Sequence, residues 1–190
     1  MSKAAPAPAP APAASAPPEK FGKAAMVDLD EAIDWGACEV LNSRHTLDRI
    51  MRAGPRDQDE LVLESDADEQ LLLTVAFKGM VKIESMQLAA PGDGRAPKEL
   101  KLIINRRTID FSDAEALAGE QVLEIAADRL GERLELNFVK FQRVERLTIF
   151  VSSNQGDEET SALWGLKLFG APIFTTNLAD FKRVSGEKGE

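Results

Sequence analysis

The sequence predicts an all-β fold, an antiparallel jelly-roll β-sandwich carrying one or two short helices. Three observations support it. Short runs of alternating apolar residues recur from Phe21 onward, strong turn signals separate them, and no strand–helix–strand rhythm is present. Long, uneven connections favour a jelly roll over a simple meander.

The elements follow in chain order. Residues 1–20 are dominated by Ala and Pro. Each Pro fixes its own φ and pushes the preceding residue toward extended geometry, so this segment is expected to be a disordered, polyproline-like arm. Only Lys3 and Lys20 flank the run and it holds no aromatic anchor. A spacer is therefore favoured over a ligand for a Pro-binding domain. Residues 21–179 are assigned to the sandwich and 180–190 to a C-terminal tail. Ser43 is expected to cap a helix through Ala53, with Leu47, Ile50 and Met51 on one face and Gly54-Pro55 as its stop. Ser112-Asp113-Ala114-Glu115 reads as a capping box for a second helix, with Gly119 just past its end.

Leu71, Leu73, Val75 and Phe77 share one face of a strand whose other face is also apolar, which suits a central strand covered on both sides. Val81 and Ile83 face one way, while Met86 and Leu88 fall in the opposite phase. Such a slip is the mark of a β-bulge. The run 133–141 slips similarly between Phe138 and Val139. Further strands are expected at Leu100–Ile104, Val122–Ala126, Arg146–Val151 and Trp164–Phe169. Turns are expected at Pro91-Gly92-Asp93-Gly94, Asn154-Gln155-Gly156 and Gly170-Ala171-Pro172.

The formal net charge is −9 and the pI about 4.8. Such a chain is not drawn to nucleic-acid phosphates or anionic lipid, and suits partners with basic faces. Arg106-Arg107 is a compact basic pair without interleaved aromatics, too little for a nucleic-acid surface. The first twenty residues lack the apolar core of a secretory signal, and no apolar run approaches the ~18 residues of a membrane span. The expectation is a cytoplasmic monomer, with the nucleus as an extension of that compartment. The single cysteine, Cys38, allows no intramolecular disulfide and no dithiol chemistry, and reads as a half-buried structural thiol. His45 is the single histidine and sits in a polar, helix-starting stretch, and no Gly-x-Ser-x-Gly is present, so a solvent-facing role is favoured and catalytic residues are expected to be absent.

Two acidic clusters remain as candidate surfaces. Asp66, Asp68 and Glu69 precede a core strand. A hard-cation loop needs converging oxygens and a glycine at its sharp turn, but Leu71 stands where an EF-hand loop places glycine, so no metal or other cofactor is assigned. Asn154 and Gln155 lead into Asp157, Glu158 and Glu159. Adjacent carboxylates in a turn do not impose the separation of glycosidase chemistry, and a partner-contacting loop is the functional reading. In the tail, Leu178, Phe181 and Val184 recur every three residues. Phe181, Lys182, Arg183 and Lys188 are the candidates there for ordering against a partner.

Leu63 to Leu72 is similar to a signature stretch of the PITH domain family. So are Val139-Lys140-Phe141-Gln142 with Leu147 to Gly156, and Asn177 to Lys182 with Arg183-Val184. The resemblance runs from about Phe21 to the end, with the motifs in order. It implies a galactose-binding-like jelly roll, no catalytic activity, and association with the proteasome regulatory particle. The redox chemistry of thioredoxin-like family members belongs to a separate N-terminal domain, whose place the Ala/Pro arm takes here, and does not carry over. Two other readings compete with this one. A lectin-like or small-ligand sandwich rests on fold analogy, and its sugar face would need exposed aromatics, whereas tyrosine is absent and Trp164 reads as inward. An enzyme would have to use Cys38 or the acidic loops.

Overall fold

The structure, a computed structural model, describes residues 27–51 and 62–173. The Ala/Pro arm, Gly54-Pro55 and the tail residues Phe181, Lys182, Arg183 and Lys188 lie outside the described residues. Among the described residues ten strands are present: β1 (Val27–Asp28), β2 (Glu39–Leu41), β3 (Leu63–Glu64), β4 (Leu71–Ala89), β5 (Pro97–Ile104), β6 (Gln121–Glu124), β7 (Arg133–Glu135), β8 (Val144–Asn154), β9 (Ala162–Leu163) and β10 (Gly165–Pro172). Two helices, α1 (Asp48–Met51) and α2 (Phe111–Ala116), join them. All strand pairings are antiparallel.

β4 builds the sandwich. The apolar pattern predicts two strands, at 71–77 and 81–88, but the lone Gly79 between them does not interrupt the backbone and one strand of 19 residues results. Its first half pairs with β2 and β8, from Leu71↔Val151 to Ala76↔Arg146. Pairing with β8 then skips to Val81↔Val144, so that Phe77–Met80 stand opposite Glu145 alone. The second half pairs with β10 and β7. A strand that bends between layers at such a bulge is how a sandwich turns a corner. One layer thus runs β2-β4-β8-β5-β6 and the other β1-β10-β4-β7. Leu73, Ile149 and Leu100 of the first layer bury against the same core as Ile83, Met86 and Leu168 of the second.

The expected bulge after Ile83 is present. Phe169 pairs with Ser85 and Gly170 with Ile83, leaving Glu84 as the extra residue. Val81, Ile83, Met86 and Leu88 consequently all point inward despite their change of phase. The outer face of the first layer is apolar too: Leu72, Ile103 and Phe150 are covered by α2 through Ala114 and Phe111, whose ring meets Phe150 edge-on at 6.2 Å.

Four further expectations are corrected. Asp110, not Ser112, caps α2. Its carboxylate accepts from the Asp113 amide at 2.8 Å while Asp113 reaches back, a capping box two residues earlier that lets Phe111 reach the sheet. Ser43 does not start α1. It bridges to Ser65 and donates to the Glu64 carbonyl at 2.7 Å, and the first helical turn hangs on Thr46, whose carbonyl accepts from the Arg49 amide. The 133–141 run stops being strand after Glu135, because Asn137–Lys140 closes a turn that leaves Phe138 and Val139 exposed. Gly170-Ala171-Pro172 continues β10 rather than turning.

Candidate functional site

The registers place both acidic clusters at one end of the sandwich. Ser65–Gln70 leads into the start of β4, and β8 runs from the corner opposite Val81 up to Asn154. Backbone and side chain stitch the two loops together. The Ser65 amide donates to the Ser161 carbonyl at 3.0 Å, the Ser161 amide to the Ser65 hydroxyl at 2.9 Å, and the Ser161 hydroxyl to the Glu69 carbonyl at 2.5 Å. Glu64 accepts from Thr160 at 2.9 Å and pairs with Arg95 at 3.0 Å, tying in the Gly92–Arg95 turn.

Asn42 holds the first loop. Its φ of 63° lies in the left-handed region, which Asn tolerates better than most residues. Its side-chain amide donates to the Asp68 carboxylate and the Gln70 carbonyl, both at 2.7 Å, and its oxygen accepts from the Ala67 amide at 2.9 Å. Asp68 is thus spent on fixing the loop. Asp66 is exposed and paired with Arg44 at 2.7 Å, and Glu69 is half-buried. Nothing in composition singled out Asn42; its position at a strand end ahead of an acidic loop was the one available signal.

In the second loop, Asn154 and Gln155 point inward. Asn154 is buried, donates to the Glu158 and Thr160 carbonyls at 2.8 and 3.0 Å, and accepts from the Glu158 amide at 2.9 Å. Gln155 donates to the Pro97 and Ile125 carbonyls at 3.0 and 2.5 Å. Both shape the loop, with their amide hydrogens committed within the domain. That framework leaves Asp157, Glu158 and Glu159 exposed, with Asp157 at a φ of 54°. Gly156 packs against Gly94 so closely that a Cβ on Gly156 would lie 2.9 Å from the Gly94 Cα.

Chemistry does not converge at this end. Among the described residues no three His, Cys, Asp or Glu side chains cluster to hold a metal ion. Arg95 holds the Asp93 carboxyl below its ordinary range by hydrogen bonding to it, and is itself raised by that partnership. Cys38 lies near the opposite end. Its sulfur accepts from the Ala76 amide at 3.4 Å, and burial raises the thiol above its ordinary value. His45 is half-buried beside Arg49, its Nδ1 3.3 Å from the guanidinium.

The PITH domain model matches residues 19–186. The chain belongs to the PITH domain family. Thioredoxin-like protein 1 of Schizosaccharomyces pombe is 35% identical over 96% of the chain, and PITH domain-containing protein 1 of Danio rerio is 32% identical over 70%. The chain spans 63% and 65% of those two relatives. Among solved structures, a truncated AlyQ with CBM32 and alginate lyase domains covers 78% of this PITH domain chain at a TM-score of 0.53 and 7% identity, with the match taking in 34% of that chain. That likeness shows the fold alone, the galactose-binding-like jelly roll. No described helix of this PITH domain is long and apolar enough to cross a membrane.

Proposed function

We propose that this PITH domain is a non-catalytic protein-binding module that associates with the proteasome regulatory particle. The observation that carries the reading is the framed acidic end. Asn42, Asn154 and Gln155 spend their amides on holding two loops, and the loops present Asp66, Asp157, Glu158 and Glu159 at the surface. Loops held in place this way lose less entropy on docking than mobile ones. Exposed carboxylates on fixed backbone set orientation and on-rate against a basic face.

The test is binding of the full chain to purified regulatory particle. Reversing Asp157, Glu158 and Glu159 to lysine, and separately removing residues 180–190, is each expected to weaken binding. Undiminished binding by both variants overturns the assignment of the surface, and no binding by the wild type overturns the partner. The carbohydrate reading finds no support at this end: the large hydrophobics most exposed among the described residues are Val27, Val122, Phe138 and Val139, and none lies in the acidic loops.

A further inference from the structure

The corner where β4 changes layers opens a cleft at the end opposite the acidic loops. Because Phe77–Met80 face a single residue of β8, the ladder splays there, and the gap of about 500 Å³ is lined by Lys78, Arg107 and Arg146 together with Asp34 and Glu145. Asn105, at a φ of 57°, closes the far wall. Its amide donates to the Arg143 carbonyl at 2.9 Å and its oxygen accepts from the Glu145 amide at 2.9 Å, so the turn presenting Arg107 is fixed. Arg146 is half-buried and donates to the Ala37 carbonyl at 3.3 Å, and Lys78 donates to the Glu31 carbonyl at 2.8 Å. Both cations are thereby positioned by uncharged carbonyl oxygens. Arg107 is exposed.

In a chain of net charge −9, three cations against two carboxylates give the cleft a small net positive charge, a local reversal of sign. We propose that this cleft binds an acidic peptide segment of a partner protein, seating carboxylates on Arg107, Lys78 and Arg146. Arg offers a planar fork suited to carboxylate, and a peptide can space its charges with neutral residues. A continuous phosphate backbone cannot, and would meet Asp34 and Glu145. Among the described residues the one aromatic lining the cleft, Phe77, is only 7% exposed and presents no platform for a base. The inference requires that the domain bind protein but not that the partner be the regulatory particle.

The experiment titrates the full chain into a fluorescein-labelled short peptide alternating glycine and glutamate, with a thymidine oligonucleotide of equal charge as comparator, read by anisotropy at low salt. The peptide is expected to bind, to bind better than the oligonucleotide, and to weaken roughly tenfold in Arg107→Glu. Arg107→Gln should weaken it less, and Asp128→Lys, at an exposed residue outside the cleft, should leave it unchanged. Failure of the wild type to bind, undiminished binding by Arg107→Glu with an unchanged melting temperature, or tighter binding of the oligonucleotide overturns the proposal. No regulatory particle is present in the titration, so the cleft and the proposed partner can fail independently.

Discussion

Two side chains illustrate how position decides chemistry at the residue scale. Cys38 was legible as a structural thiol because it has no second cysteine to work with, and the structure adds the cause: partial burial, opposed by the Ala76 amide. With its folded-state value raised above the ordinary 9.0, Cys38 stays protonated where the unfolded chain has lost that proton. Its contribution to stability is therefore intact at neutral pH and is lost as pH climbs from the ordinary thiol value through the raised folded-state value. Alkylation by iodoacetamide at mildly alkaline pH should be slower in the native protein than in urea, and Cys38→Ser should lose less stability than wild type as pH rises above about 9. Equal alkylation rates in both states would contradict this. Arg95 acts in the other direction, holding Asp93 at 2.6 Å and Glu64 at 3.0 Å. Since both partners are substantially exposed, Arg95→Gln should cost no more than about 1 kcal/mol. The clearer readout is the Asp93 carboxyl, which carbon-detected NMR titration should show moving up toward its ordinary value, and an unmoved titration would refute the pairing.

Elements were legible where burial enforced a period, and illegible where a few hydrogen bonds decided. The phase change between Ile83 and Met86 could be read as a bulge because four apolar residues had to face one core. The strands β1, β2, β3 and β9, of two or three residues each, were not read, since so short a pairing leaves no alternation. The run through Phe138 and Val139 misled for a related reason: apolar residues in a turn mimic strand periodicity, and only the Asn137 hydrogen bonds show otherwise. Gly170 misled as a turn signal because glycine serves close approach as well as positive φ. A Cβ there would lie 1.9 Å from the Lys82 carbonyl oxygen, across the bulge. Gly170→Ala is thus expected to cost about 3 kcal/mol, whereas Gly79→Ala, with nothing within 4 Å of its Cβ, should stay near neutral. Chemical denaturation of the two variants checks this, and equal midpoints would mean that the bulge yields without cost.

At the scale of the whole molecule, the strand registers turn an unremarkable charge list into a polarity. The sequence shows an acidic chain, and its two acidic loops were legible as clusters. That they share one end, while Lys78, Arg107 and Arg146 share the other, depends on where β4 bends and on the reach of β8, about 17 Å from Arg146 to Val151 at strand rise. No local pattern encodes that distance. It follows that charge at the acidic end should govern how fast a basic partner arrives more than how long it stays. Reversing Asp157, Glu158 and Glu159 to lysine removes exposed groups outside the core, so the melting temperature should hold. Stopped-flow association with regulatory particle, the proposed partner, should slow several-fold at low salt with little change in dissociation. The difference should shrink toward nothing near 1 M salt, where screening acts over about 3 Å. A defect that persists at high salt would mean that these side chains make close contacts in the complex instead of steering its approach.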